Sequence, residues 1–360
     1  MTTEMAPFFL MMVTLGLLAV PIAPALFELK KRKDASPLPT SRHDGHIENF
    51  AEVFRGRVDQ VRYALQQCRD EGKIEKVQME GADVLVVGCK DFELDQKLMY
   101  GVSALIFAQS AQIPADCAVE VDIYAEEMLN VGDGSMLRAA LSAGNVSLGE
   151  NSKVLRWLHA DGDIHLQKGS VALGRLSAGQ SIRLRPGVIF QHIHAPSIST
   201  GHSRHSPHLP MHCGCESAED PGPSSAFRSR TFASRPRIRV KGEFVLPAGE
   251  TLNANVIAAG DVRLERGTRF FGNLKSYGDV RIGEETCTHG SIVCEGTIRI
   301  GSRCFAAGPI MAEREIQIGA DSCVGRSDAH TTISSRTVKI STGCEIHGSV
   351  WARLQGSVED

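Results

Sequence analysis

The stretch that decides the fold is residues 259–304, AGDVRLERGTRFFGNLKSYGDVRIGEETCTHGSIVCEGTIRIGSRC. An apolar–polar–apolar triplet recurs in it at a constant spacing of eighteen positions, as Val262-Arg263-Leu264, Val280-Arg281-Ile282 and Ile298-Arg299-Ile300. A glycine stands two residues before each triplet. Alternating apolar and polar residues are typical of a strand with one buried face, and glycine permits tight corners. The stretch therefore predicts a coil that repeats with this period.

The same triplet extends far beyond this stretch. Upstream copies are Val146-Ser147-Leu148, Ile164-His165-Leu166 and Ile182-Arg183-Leu184; downstream copies are Ile316-Gln317-Ile318 and, four positions late, Val338-Lys339-Ile340. Strands that return in the same direction pair in parallel by stacking coil on coil, about 4.8 Å apart. A period of eighteen divides into three equal sides. We therefore predict a mainly β fold, a three-sided parallel β-helix, in two parts at 82–198 and 237–355.

Alternation assigns the two faces of each strand. The triplet residues expected to point inward carry the core and the assembly of the coils: Val262, Leu264, Val280, Ile282, Ile298, Ile300, Ile316 and Ile318. The middle residues point outward and are expected to stack as a column, Arg263, Arg281, Arg299, Gln317 and Lys339. This column is either an ion-paired outer side or a lateral binding face.

Composition limits the possible functions. The chain has 360 residues, with 39 Lys and Arg against 42 Asp and Glu, so the net charge of −3 gives no general argument for a polyanionic partner. We expect no nucleic-acid binding. The ten cysteines are scattered and too sparse for a disulfide scaffold, which indicates reduced thiols. Aromatic residues are only 6% while glycines number 35, which suits a thin repetitive β architecture.

The N-terminus predicts a membrane anchor. Residues 6–27 contain no charged residue, and as a helix they would be about 33 Å long, enough to span a bilayer core. The basic run 30–33 follows at once and marks the cytoplasmic side. We expect a single-pass transmembrane anchor at 1–29, in the inner membrane with the body in the cytoplasm. A cleaved signal peptide and a buried core helix are the alternatives.

Two segments connect the anchor to the β-helix. Residues 30–46 form the predicted linker, because the stretch 34–46 is rich in Pro and Ser. Apolar residues recur at three- and four-residue steps over 47–68, which predicts one amphipathic helix within a helical cap or connector at 47–81. This helix is a candidate cap for the N-terminal end of the solenoid.

A polar segment at 199–236 interrupts the repeat. Its His, Cys, Pro and Ser residues show no apolar periodicity, which is typical of a flexible insertion. Soft nitrogen and sulfur ligands at short spacing are weak candidates for a Zn²⁺ or Cu⁺ site, without a standard finger spacing. These candidates are His202, His205, His208, His212, Cys213 and Cys215. A basic run also crosses the end of the insertion, at Arg228, Arg230, Arg235, Arg237, Arg239 and Lys241.

The repeat resembles the bactofilins, a family of polymer-forming cytoskeletal proteins of bacteria. The resemblance rests on residues 259–304 and on 143–170, AGNVSLGENSKVLRWLHADGDIHLQKGS, and extends over about two thirds of the chain. It implies a β-helix that assembles with itself at the inner face of the membrane, often in cell-shape or envelope work, without enzyme activity or a cofactor. The chain is longer than the usual single-core member and carries the extra segments 47–100 and 199–236.

Two other functions remain open. One is a platform that does not polymerise and binds envelope or cell-wall proteins. The other is a hexapeptide-repeat acyltransferase, whose coils have the same period and which needs a histidine base. His289, His330 and His347 are isolated candidates for that base. We predict no catalytic residues, because no orienting partner is visible beside any of them.

Overall fold

The computed structural model describes residues 11–14, 16, 47–89, 92, 94, 100–201 and 235–360. The chain divides into two compact units, Met1–His46 and Ile47–Asp360. In the first unit, residues 11–14 and 16 are helical. No helix within the described residues has both the length and the hydropathy to cross a bilayer. Most of the 6–27 span lies outside the described residues, so the anchor stays a prediction.

The second unit begins with two short helices where the sequence predicts one. The helices are α1 (Asn49–Asp59) and α2 (Arg62–Glu71), and α2 ends at Gly72, which is left-handed with φ 64°. Between them Val61 leaves the helical region, with φ −106° and ψ 15°. Helix α1 packs on the seventh and ninth strands and α2 on the first two. The bend lets both apolar faces follow one side of the solenoid.

The first part of the β-solenoid starts with an antiparallel hairpin, β1 with β2, and continues with coils that pair in parallel. Residues in register are mostly seventeen or eighteen positions apart, and twenty between β2 and β3. The strands are β1 (Ile74–Met79), β2 (Ala82–Val87), β3 (Ala104–Phe107), β4 (Ala111–Ile113), β5 (Ala118–Ala125), β6 (Leu129–Val131), β7 (Met136–Ser142), β8 (Val146–Leu148), β9 (Lys153–Ala160), β10 (Ile164–Leu166), β11 (Val171–Ala178), β12 (Ser181–Leu184) and β13 (Ile189–Thr200).

The second part has three short strands per coil, each paired in parallel with its counterpart one period later until the four-residue insertion before the last coils. Its strands are β14 (Arg237–Val240), β15 (Phe244–Leu246), β16 (Thr251–Leu252), β17 (Asn255–Ala258), β18 (Val262–Leu264), β19 (Arg269–Phe270), β20 (Leu274–Ser276), β21 (Val280–Ile282), β22 (Cys287–Thr288), β23 (Ile292–Cys294), β24 (Thr297–Ile300), β25 (Phe305–Ala306), β26 (Ile310–Ala312), β27 (Glu315–Ile318), β28 (Cys323–Val324), β29 (Thr331–Ser341) and β30 (Glu345–Glu359). The solenoid predicted from the triplets is confirmed, with about 13 turns.

The two parts run in opposite directions and meet at their C-terminal coils. Strand β13 pairs antiparallel with β30, from Ile189 opposite Ser357 to Ser199 opposite Glu345. We call this pairing the seam. Within the part of the chain that the structure describes, it joins all coils into one 30-stranded sheet, and one hydrophobic core runs from Leu85 to Val358. The chain that leaves β13 therefore re-enters at the far end of the second part.

The corners explain why glycine is periodic. Gly169 and Gly267 turn with φ of 72° and 69°, in the left-handed region that glycine adopts without steric cost. Asn151 and Glu285 adopt similar φ values, 57° and 58°, at equivalent corners of other coils. Glycine is therefore favoured at this corner rather than obligatory, which is why the sequence repeat is imperfect there.

Candidate assembly surfaces

The triplet residues expected in the core are inside the solenoid. Val262, Val280, Ile298 and Ile316 are completely buried, and the other four are between 1% and 5% exposed. The in-register stack continues through β15, β18, β21, β24 and β27 without a bulge. These residues stabilise the coil but do not distinguish one end of it from the other.

The first coil of the second part, residues 237–252, is paired on one side only. Its three strands β14, β15 and β16 bond to the next coil, and no strand within 47–89, 100–201 or 235–360 pairs with their other edges. Four of its apolar residues are only partly buried, although their counterparts one coil later are covered almost completely: Ile238, Val240, Phe244 and Leu252. We call this coil the open coil.

The backbone of the open coil points donors and acceptors away from the body. Phe244 N–H donates to Asp261 O at 2.9 Å, and Leu246 O accepts from Glu265 N–H at 3.0 Å. Alternate residues of a parallel strand address opposite neighbours, so Val245, between them, directs its N–H and C=O outward. Val245 is 47% exposed. Such an unpaired edge is a template for another strand.

The N-terminal end of the solenoid is covered differently from the expectation. Helices α1 and α2 do not sit over the end; their apolar residues Phe54, Val58 and Leu65 pack against the outer side of several coils, where they meet Tyr124 and Trp157. The end itself carries β1, folded back on β2 as a hairpin. A helix with a single apolar stripe covers a flat sheet side better than a coil end, which also presents backbone groups.

The seam closes the two C-terminal coils with matched shapes. Phe190 is fully buried, and a Cβ built on Gly356 would lie 2.2 Å from its Cε2 atom. Thr200 extends the hydrogen bonding: its Oγ1 donates to Ser341 O at 2.7 Å and accepts from Cys344 N–H at 3.0 Å. Strands of 12 and 15 residues build the seam, whereas most others have two to eight. That long alternation is the sequence signal that could have found it.

The outward arginines form one wall of a shallow groove. Arg263, Arg281 and Arg299 are in register on successive coils, and the groove of about 390 Å³ between them and Gly283 crosses three coils. Acids accompany the column: Glu243 lies 3.0 Å from Arg263. Like charges in register repel, so the nearby acids stabilise the stack. The column is ion-paired at Arg263 and at Lys339, which lies 3.4 Å from Glu315, and a groove runs along it.

One cluster has the residue types of a hydrolase triad. His159 Nδ1 lies 2.7 Å from Ser177 Oγ, and His159 Nε2 lies 3.2 Å from Asp161. Arg55 of α1 donates two hydrogen bonds to the same carboxylate, at 2.8 and 2.5 Å. Ser177 is only 2% exposed. Burial raises the pKa of Asp161, but the Arg55 hydrogen bonds outweigh it and hold that pKa below its usual value. The cluster fastens α1 to the solenoid.

The histidines considered for acyl transfer lie in separate places. His289 stacks on Phe271 with ring centroids 4.6 Å apart, His330 is exposed, and His347 contacts Pro196 O through Nδ1 at 2.9 Å. Across 47–89, 100–201 and 235–360, the structure contains no cluster of three metal-ligating side chains. The weak metal candidates between His202 and Cys215 lie outside the described residues.

The basic run is only partly described. Arg228 and Arg230 lie outside the described residues, whereas Arg235, Arg237 and Arg239 lead into the open coil or lie in it. Charged side chains on an edge strand oppose uncontrolled pairing.

Comparison of the whole chain with protein-family models, with curated proteins and with solved structures gave no match. The bactofilin resemblance therefore rests on the repeat residues alone.

Proposed function

We propose that the protein is a self-assembling, bactofilin-like structural scaffold in which two copies associate end to end through their open coils. The observation that carries the proposal is the coil 237–252, which pairs on one side only within the described residues. Adding a coil there would continue the hydrogen-bond ladder and cover the partly exposed ends of Phe244 and Leu252. The association needs neither a nucleotide nor a cofactor.

The seam supports a second copy as the partner. At the seam, two terminal coils of one chain already pair antiparallel over most of their length and share one core. Two open coils related by a two-fold axis would meet in the same manner. An isologous contact of this kind closes after two copies. A longer filament would require the N-terminal end as well, where the hairpin strand β1 is folded over β2.

Charge adds a dependence on salt. In an antiparallel two-fold pair, Arg237 and Arg239 of one copy would face the same residues of the other across β14. Like charges placed opposite each other destabilise strand pairing, and salt screens them. The association is therefore expected to strengthen as ionic strength rises, unlike a contact made through ion pairs.

The membrane tether is part of the proposal. The uncharged span 6–27 followed by the cations at 30–33 supports a single-pass anchor with the body on the cytoplasmic side of the inner membrane. Residues 30–46 would connect the anchor to the body. The tether would hold the scaffold at the membrane surface.

The experiment measures association of the full-length protein in detergent, without nucleotide, by light scattering and negative-stain microscopy. Val245→Pro removes the outward N–H of Val245 in β15. It keeps the hydrogen bonds that Phe244 and Leu246 make to the next coil. Val245→Thr keeps that N–H and is the matched control. We expect end-to-end pairs for the wild type and Val245→Thr, and single particles for Val245→Pro.

The outcomes separate the alternatives. Monodisperse single particles of the wild type at high salt would contradict self-association. Long filaments would show that the N-terminal end also takes part. Pairs that Val245→Pro leaves intact would place the contact elsewhere.

A second candidate function is a platform for envelope or cell-wall proteins that does not polymerise. The hairpin at the N-terminal end favours it, because that end cannot simply continue the parallel stack. The groove beside Arg281 would be the binding side. Capture of envelope proteins by a wild-type protein that stays single, with loss of capture in Arg281→Glu, would support the platform.

A further inference from the structure

Imidazoles are concentrated at the seam. Each of three histidines contacts a group from the opposite part: the His192 ring lies 5.1 Å from the Trp351 ring, His194 Nδ1 lies 2.8 Å from Ser349 Oγ, and His347 Nδ1 lies 2.9 Å from Pro196 O. Histidine is the side chain whose charge normally changes between about pH 5 and 8. The joint between the two parts therefore contains three imidazoles, each in contact with the opposite part.

His192 has unfavourable surroundings for a positive charge. In the stack it lies between Arg175 of β11 and Trp351 of β30, both in register with it. Burial, and secondarily the Arg175 cation, lower the pKa of His192. Helix α1 contributes Phe50, whose ring lies 4.4 Å from the Arg175 guanidinium and offers no negative charge. A proton on His192 would therefore be poorly compensated.

The other end of the seam differs. Glu345 lies 3.5 Å from His347 Nε2, so this end of the seam places a carboxylate beside the imidazole. Glu345 is six residues from Trp351, roughly 20 Å along the strand, too far to compensate His192 closely. Between the two ends of the seam, His194 is in register with Ser177 of β11. Beyond Ser177 lie His159 and the ion pair of Asp161 with Arg55. The charged groups therefore differ between the two ends of the seam, with a carboxylate beside His347 and the Arg175 guanidinium beside His192.

We propose that the seam is an acid-sensitive joint in which protonation of His192 loosens the pairing around Trp351, while the end near Thr200 stays closed. The direction in which stability changes with pH follows from the linkage between proton binding and folding. Because the pKa of His192 is lower in the folded protein than the usual value of about 6.5, the unfolded state binds the proton more readily. The stability that the neutral ring contributes is fully present above that value and is lost as the pH falls below it. Local acidity would thus control how rigidly the two parts are joined.

Hydrogen exchange of the full-length protein, followed by mass spectrometry and normalised to the intrinsic exchange rates, tests the joint. We expect peptides over 189–195 and 348–354 to lose protection between pH 7.5 and pH 5.5, while those over 255–300 keep it. His192→Phe keeps an aromatic ring against Trp351 without a titrating group, so its seam should stay protected at pH 5.5. If this variant does not fold, His192→Gln provides the same comparison.

His165→Phe is the matched control. Burial, then the nearby Arg183, lower the pKa of His165 as well, but it lies on β10 inside the first part. This variant should keep the acid response of the seam. Unchanged protection of the wild-type seam, the same loss in the His192 variant, or loss of the response in His165→Phe would each overturn the proposal.

Discussion

The direct test of the architecture is a double-mutant cycle between Phe190 and Gly356, residues from opposite parts that meet only if the seam forms. A Cβ on Gly356 would lie 2.2, 2.5 and 2.6 Å from three ring carbons of the fully buried Phe190. The ring would have to move within a packed core, so we expect Gly356→Ala to lower the free energy of unfolding by about 1–3 kcal/mol. Phe190→Ala should cost about 3–5 kcal/mol, because it removes a buried ring and leaves a cavity.

The losses in the free energy of unfolding caused by these two substitutions should not be additive. Removing the Phe190 ring vacates the space that the new methyl group needs, so the double variant should be more stable than the sum of the single losses predicts, by about 1 kcal/mol or more. Urea unfolding followed by circular dichroism measures the three differences. The matched control replaces Phe270, which is equally buried but lies in the second coil of the second part. Gly356→Ala and Phe270→Ala should be additive.

Additivity of Gly356→Ala with Phe190→Ala would refute the seam. The two residues would then not be in contact, and the antiparallel pairing of β13 with β30 could not be correct. Equal non-additivity with Phe270→Ala would also count against it, since the coupling would then not depend on contact.

Three further outcomes follow from single sites. Gly56 lies in the interior of α1 with open space where a methyl group would project, so Gly56→Ala should raise the free energy of unfolding by about 0.5–1 kcal/mol in urea unfolding. Arg55→Ala should cost about 0.5–1 kcal/mol at pH 7, as a partly exposed ion pair does. Its effect should fade as the pH falls below about 4, where Asp161 becomes protonated in the unfolded state, and should be lost once the pH has also passed the lower pKa of Asp161 in the folded protein; an effect that does not diminish on acidification would be inconsistent with the ion pair. Burial raises the pKa of Cys304 and of Cys344 to about 11, so both thiols should resist a thiol reagent at pH 7 until urea unfolds the protein, and rapid labelling of the folded protein would contradict their burial.

The coil itself could be read from the sequence because its determinants are local. A triplet such as Val280-Arg281-Ile282 encodes one strand and its buried face, and glycine beside it encodes the corner. Stacking identical units then needs no further information, since each coil contacts only its neighbours.

The helical segment shows where local information ends. Its apolar stripe indicates that residues such as Phe54 and Leu65 are buried, but a stripe does not state which surface buries them. An end cap and a side cover require the same pattern. The break at Val61 depends on which coils α1 and α2 contact, so it could not be predicted from helical periodicity.

The sequence by itself determined the period, the parallel pairing within each part and the residues of the core, because these depend on contacts between neighbouring coils. Only the tertiary structure decided that the two parts run in opposite directions and close at the seam, and that the coil at 237–252 pairs on one side only among the described residues. The repeating residue pattern is the same whichever direction a solenoid runs, so it does not encode the relative orientation of the two parts. The choice is made by contacts such as that of Phe190 with Gly356, between residues far apart in the chain, and no repeating pattern encodes such a contact.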